Sequence, residues 1–377
     1  NQDVLSINVV ENPIVNFFYI NGIKDTDLDQ VNKIITLKEN SIFSSAKLKK
    51  DIEATKEFLN ASGYYQASIN PEVIKVDNNQ INLIINIDKK EISKIKNIYF
   101  IGIGGIGMSA LARYFNKQGV VVSGYDKTPT LLTDALIKEG IQIHFEDDLT
   151  KIDKQASVIV YTPAIPSNHG ELNYFKDNGY LVVKRSDVLQ WITENAFTIA
   201  IAGTHGKTTT TSMTAHILRH TGYGCNAFLG GIASNYGTNF WSHEKNVVVV
   251  EADEYDRSFL KLAPNIAVIT AVDPDHLDIY GTAEEVVKAF GEFSDKIKTG
   301  GWLIRKWNTV FNTLESNKTI LTYDYSNDKA SFHPQHIKVV DGSYQFDLVH
   351  PLGVCKDIML PMGGLHNVEN VSAAIAI

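Results

Sequence analysis

The chain has 377 residues, enough for two or three domains at about 100–200 residues each. With 44% hydrophobic and 21% charged residues it has the balance of a globular protein, and a net charge of −8 excludes a chain-wide nucleic-acid footprint. Two cysteines, Cys225 and Cys355, build no disulfide framework, and no apolar run reaches the roughly 20 residues of a membrane helix.

The chain opens at Asn1 with no signal-peptide pattern and stops within the apolar run 373–377, so it reads as a piece of a longer protein. Its first hundred residues are rich in Asn, Ile and Lys, with no arginine before Arg113. From Ile98 glycine becomes frequent and the apolar runs unbroken, which marks a domain boundary. The expected domains are 1–97, 98–195 and 196–377.

In the first segment, the apolar run 15–20 predicts a strand closed by the turn Asn21-Gly22. Residues 27–37 and 45–62 have helical spacing. The second of these opens on Ser44 or Ser45, closes at Gly63 and buries Leu48, Ile52, Thr55 and Leu59. Strands are predicted at 65–69 and 80–87, joined through Asp77-Asn78-Asn79. The charged residues here read as solvated helix faces. Two echoes suggest repetition: 6–9 resembles 84–87, and 14–20 resembles 95–101. This β-α-α-β-β order, the Phe43-Ser44 entry and the stretch 59–65 resemble the POTRA (polypeptide-transport-associated) repeat, which implies an α+β domain that binds protein by strand addition at a sheet edge.

From Ile98 the pattern predicts strands at 98–103, 120–125, 157–161, 197–202, 247–251 and 266–272, with helices at 109–117 and from 203 to about 220. Such alternation indicates α/β architecture with doubly wound parallel sheets. The first glycine turn, Gly102-Ile103-Gly104-Gly105-Ile106-Gly107-Met108-Ser109, follows a strand and opens a helix. Glycines there let backbone approach a diphosphate, and the helix N-terminus supplies amides. Asp126 stands where a dinucleotide fold would carry its ribose acid. Alone, this turn fits NAD, FAD or any nucleoside diphosphate.

The second turn is Gly203-Thr204-His205-Gly206-Lys207-Thr208-Thr209. Two residues rather than four separate Gly203 from Gly206, so this is a shortened phosphate loop in which Lys207 would reach phosphates and Thr208 a Mg²⁺ ion. The strand 247–251 ends in Glu251-Ala252-Asp253-Glu254, where Glu251 is the first candidate for a metal carboxylate. His276, in Asp275-His276-Leu277-Asp278, is a candidate second ligand, although imidazole is not the preferred donor to Mg²⁺.

These residues, with 161–166 (which contains Thr162) and His366-Asn367-Val368-Glu369-Asn370, stand in the order found in the Mur ligase family, and the first glycine turn resembles the alanine-adding branch. The resemblance implies a Rossmann-like UDP-sugar domain, a P-loop NTPase-like central domain and a third domain beyond Ile377. It implies use of ATP and Mg²⁺ to join L-alanine to UDP-N-acetylmuramate through an acyl phosphate. Lys207, Glu251 and His276 would be catalytic, with Thr208, Glu251 and His276 on metal. Residues 203–209 with His366, Asn367 and Asn370 would hold ATP, although helix capping would also account for the last three. Gly102, Gly104, Gly105, Gly107, Met108, Ser109, Asp126 and Thr162 would hold the UDP-sugar.

Without the third domain, turnover by this chain is expected to be impaired. The ligase part implies the cytoplasm and the POTRA-like part the periplasm, so two reading frames joined at the shared 99–102 stretch is the expectation. The competing expectation is an envelope-assembly binding module carrying an incidental ligase segment. An NAD enzyme built on the first turn leaves Lys207 and Glu251 unexplained.

Overall fold

The computed structural model describes residues 11–23, 25–62, 64, 67–88, 95–309, 311 and 318–377. They divide into two units, Asn1–Ile95 and Lys96–Ile377.

The first unit runs β1 (Ile14–Asn21), α1 (Asp25–Ile34), α2 (Ser45–Ala61), β2 (Ser68–Val76) and β3 (Gln80–Asp88). The sheet order is β1-β3-β2, with β1 parallel and β2 antiparallel to β3. Strand β3 alternates strictly: Ile81, Leu83, Ile85 and Ile87 are buried under the helices together with Val15, Val31, Ile35 and Leu59. The β2–β3 turn falls at the predicted residues, with Asn78 and Asn79 at φ 62° and 54°, the left-handed region asparagine tolerates.

The expected strand at 65–69 instead begins at Ser68 and runs through Pro71, which an edge strand accepts because it lacks only an outward N–H. Helix α1 ends at Ile34, short of Leu37, for a reason that corrects the reading of all charged residues here as solvated. Asp51 is 2% exposed, and its carboxylate accepts from the Thr36 and Leu37 amides, each at 2.9 Å, and from the Thr36 hydroxyl. It thereby holds the exit of α1 out of helical conformation. In the α2 stripe, Thr55 and Leu59 are buried while Leu48 and Ile52 are half-buried, and Ser44 provides the cap. Gly63, the start of the 65–69 strand and the 6–9 echo lie outside the described residues.

The second unit begins with a five-stranded parallel sheet. It contains β4 (Asn97–Ile101), α3 (Ile106–Lys117), β5 (Val121–Tyr125), α4 (Leu131–Lys138), β6 (Gln142–His144), β7 (Val158–Tyr161), α5 (Gly170–Asp177), β8 (Leu181–Lys184) and α6 (Arg185–Glu194). Its order, β6-β5-β4-β7-β8, reverses direction at β4, so the glycine turn after β4 opens at the switch point where such sheets bind ligands. The stretch shared with β1 is therefore the central strand of this sheet.

A seven-stranded sheet follows, with β9 (Phe197–Ala202), α7 (Lys207–His220), β10 (Asn226–Ala233), β11 (Thr238–Trp241) and β12 (Val247–Glu251). After a 3₁₀ turn at Ser258–Lys261 come β13 (Ile266–Ile269), α8 (Leu277–Tyr280), α9 (Ala283–Ser294), β14 (Trp302–Lys306) and β15 (Thr319–Tyr323). The order is β11-β10-β12-β9-β13-β14-β15, all parallel except β11. β13 stops three residues before the expected 272. An antiparallel meander, β16 (His333–Val340), β17 (Ser343–His350) and β18 (Gly353–Leu360), lends Phe346, Leu348 and Leu360 to the same core before α10 (Leu365–Ile375) returns against α7.

The two sheets of this unit are joined through α3. Tyr114 packs on Phe228 and Phe240 at 5.5 and 6.2 Å between ring centres. Asn239, fully buried, donates to Ile106 O at 2.5 Å and to Ser109 Oγ at 2.9 Å and accepts from Arg113, which also pairs with Glu139 at 2.8 Å. Asn239 is thus paired at both its oxygen and its nitrogen, the condition under which a buried polar group fixes one arrangement.

Candidate functional site: two glycine turns

The first turn places Gly102 at φ +87° with the Thr162 methyl beside it; a Cβ there would lie 2.9 Å from Thr162 Cγ2. Gly104 N donates to Asp126 Oδ2 at 2.7 Å, and Asp126 Oδ1 accepts from Thr128 N, so this acid braces the turn from below. Gly105 caps α3, and Gly107 lies within its first turn. Gly102, Gly104, Gly105, Gly107, Asp126 and Thr162 thus lie together at one turn.

Met108 and Ser109 are turned inward. Met108 is 2% exposed and can offer only its backbone amide. Ser109 is fully buried, its amide spent on Gly105 O and its hydroxyl on Ile106 O and Asn239. Arg185, at the start of α6, was missed. Its Nη1 lies 2.0 Å from where a Gly107 Cβ would stand, and its Nη2 is 3.6 Å from Asp253. The Lys-Arg pair following an apolar strand was the available signal.

The second turn is tighter. Gly206 has φ +80°, and a Cβ on it would stand 2.6 Å from Asn370 Oδ1, so the loop takes this path only with glycine. The Thr204 hydroxyl donates to Asp273 at 3.1 Å, the Thr270 hydroxyl lies between the carbonyls of Ala202 and His205, and His205 itself is exposed. Lys207, Thr208 and Thr209 open α7, whose first amides face outward with the positive end of its dipole.

Lys207 Nζ donates to Gly203 O at 2.8 Å and to Glu254 Oε1 at 2.7 Å. The Thr208 hydroxyl donates to Glu251 Oε1 at 3.1 Å, and Gly230 N donates to Glu251 Oε2 at 3.2 Å. Burial pushes the Glu251 carboxyl above the ordinary glutamate range, with Thr208, Lys207 and Gly230 pulling it back. Thr208 and Glu251 therefore meet at the opening of α7. His276 (φ +53°) instead stands 3.9 Å from Glu254 and 3.8 Å from Asp275, with Tyr255 edge-on to its ring. Among the described residues no three His, Cys, Asp or Glu side chains cluster to hold a metal on their own. Asn370 is buried against Gly206, accepts from Thr210 at 3.4 Å and donates to the buried Asn367 at 3.3 Å; His366 is exposed at the helix entry.

Two glycine turns, each after the central strand of its sheet, thus share one unit. Residues 97–196 match the model for the Mur ligase family catalytic domain and 201–377 that for the Mur ligase middle domain. Residues 97–377 belong to the Mur ligase family. Residues 13–90 match the POTRA model, described as a surface antigen variable number repeat.

The Mur ligase part is 49% identical over 290 residues to a UDP-N-acetylmuramate–L-alanine ligase of Porphyromonas gingivalis, covering 75% of this chain and 64% of that protein. It is 47% identical over 294 residues to the same-named ligase of Phocaeicola vulgatus, at 76% and 64% coverage. The chain thus spans just under two thirds of these relatives' length. Among solved structures it resembles a UDP-N-acetylmuramate-alanine ligase from Thermotoga maritima (TM-score 0.63, 27% identity, 74% of this chain and 64% of that one). It shares its fold with a UDP-N-acetylmuramate:L-alanyl-γ-D-glutamyl-meso-diaminopimelate ligase from Neisseria meningitides (TM-score 0.64, 24% identity, 75% of this chain and 92% of that one).

Proposed function

We propose that residues 97–377 hold the UDP-sugar and nucleotide of an ATP-dependent ligase that joins L-alanine to UDP-N-acetylmuramate. The observation that carries this is the Lys207–Thr208–Glu251 group on a shortened phosphate loop, in one unit with a glycine turn faced by Arg185. In this chemistry the sugar carboxylate attacks the γ-phosphorus of ATP, ADP leaves, and an acyl phosphate forms. The alanine amine then adds to the acyl carbon, and the tetrahedral intermediate expels phosphate to leave the amide.

The chain's own groups act electrostatically. Lys207 and the α7 amides neutralise charge on the transferring phosphoryl group. The Gly104–Gly107 backbone and Arg185 hold the UDP diphosphate. Asn367 and Asn370 border the nucleotide side. The donors present suit Mg²⁺, a hard cation that takes oxygen ligands and keeps several waters: the Thr208 hydroxyl and Glu251 would hold it, with His276 farther out. When bound, Mg²⁺ supplies charge neutralisation of the phosphates. With ATP and a UDP-linked precursor as its substrates, this part would work in the cytoplasm.

Calorimetric titration with UDP-N-acetylmuramate and then Mg-ATP tests the reading. Binding of both, followed by phosphate release on adding L-alanine, is expected of a competent ligase; binding of neither overturns it.

The first unit supports a separate reading, protein binding by strand addition. β2 is an edge strand whose residues from Asn70 to Val76 are all exposed. A peptide pairing there would be detected as new amide protection along β2.

A further inference from the structure

Glu254 takes no part in the mechanism above, yet its placement is costly. It is 1% exposed, its Oε1 meets Lys207 Nζ at 2.7 Å and lies 3.9 Å from His276 Nε2, and its Oε2 is buried with no hydrogen-bond partner. Tyr280 anchors it by donating to the Glu254 carbonyl at 2.6 Å. A buried carboxylate with one unsatisfied oxygen carries a desolvation penalty that a merely structural residue has no reason to keep. Two donors of the Lys207 ammonium are already taken, by Gly203 O and by the buried Glu254.

We propose that Glu254 is a positioning residue that competes with phosphate for the Lys207 ammonium, setting how tightly the loop holds a polyphosphate. The inference rests on reading 203–209 as a nucleotide site. The Lys207–Glu254 pair neutralises the charge a phosphate needs. Weakening the pair therefore strengthens nucleotide binding.

The test is calorimetry on the full chain with ADP in EDTA and with ADP plus Mg²⁺. Glu254→Gln is expected to bind ADP about tenfold more tightly in both conditions, a tenfold step being about 1.4 kcal/mol. The gain should vanish in the Lys207→Ala background, where Glu254→Gln has no lysine to release; a structural role predicts no such dependence. Glu254→Asp keeps the charge but withdraws it by one methylene, and an intermediate gain is expected. It stands in if Glu254→Gln fails to fold. Unchanged or weaker ADP binding by the variants overturns the proposal, as does a loss confined to Mg-ADP, which would put Glu254 on the cation side. Absence of ADP binding by every variant overturns this proposal and the nucleotide reading together. Lys207-dependent binding that ignores Glu254 overturns this proposal alone.

Discussion

The two glycine turns share one backbone plan and differ in what is laid over them. Each follows the central strand of a parallel sheet and opens a helix, so each presents amides and a dipole to an anion. Over the first lies Arg185, a long side chain carried in from α6, with Asp126 bracing Gly104 underneath. Over the second lies Lys207, which belongs to the loop itself and is tied to Gly203 and Glu254. The first turn is thus charged from outside and the second from within. A substitution in the second should damage its loop and its ligand together, while in the first the two can be separated.

Removing Lys207 is the largest expected break. Lys207→Ala takes away the loop's own ammonium, worth about 1.5–3 kcal/mol as a charge-assisted contact, or roughly 10- to 150-fold in Mg-ADP affinity. UDP-N-acetylmuramate affinity should be unmoved. Equal loss of both ligands would mean that the two turns are one coupled site. Next comes Gly206→Ala, which forces a Cβ into the left-handed region and against Asn370. A loss of about 1–3 kcal/mol of stability is expected, read as a lowered Tm together with weaker Mg-ADP binding.

Asn239→Ala probes the contact that holds the turns together. It leaves Arg113 and the Ile106 carbonyl short of a buried partner, at a cost of about 1–3 kcal/mol. Because Ile106 and Ser109 belong to the first turn of α3, UDP-N-acetylmuramate affinity should fall while Mg-ADP affinity holds. Gly107→Ala should be milder still. The added Cβ meets only the end of a flexible arginine, so Tm should stay within a degree or two, about the scale of a 0.5 kcal/mol change. UDP-N-acetylmuramate should nevertheless bind severalfold more weakly as Arg185 is displaced. A large drop in Tm instead would show that Arg185 is a packing residue.

What the chain's order of residues made legible follows the same division. Groups within a turn could be read directly: the glycines, Lys207, Thr208 and the strand-ending Glu251 all carry short-range signals of strand, turn and helix. Groups delivered from afar could not. Arg185 reaches Gly107 across 78 positions and Asn239 reaches Ile106 across 133, and neither spacing leaves a periodic trace. Nor could the surroundings of Ser109 be read: its helical register, one residue past the free amides, turns it toward Asn239 rather than outward. Asp51 looked like part of a solvated face because its partners, the Thr36 and Leu37 amides, are backbone groups that composition does not reveal. The β16–β18 meander was not foreseen; its alternation is blurred by exposed residues on both faces.

The smallest expected effect concerns the acid of the second turn. Burial is the largest influence on Glu251 and raises its carboxyl above the ordinary value, so folding favours the protonated form. The stabilisation that this represents is fully present below the ordinary glutamate pKa of about 4.3 and is lost as pH rises through the raised value. At neutral pH, then, the ionised Glu251 is a burden on the fold that a cation would relieve. Glu251→Gln carries no charge; its single carbonyl oxygen can accept from Gly230 N, and the Thr208 hydroxyl can turn to accept from its NH2. Without Mg²⁺ its Tm should exceed the parent's at about pH 7, and the advantage should shrink to nothing by about pH 4. With Mg-ADP present the order should reverse, because the variant has lost the carboxylate that the cation needs. An advantage of equal size at both pH values would show that Glu251 disturbs the fold through packing rather than charge.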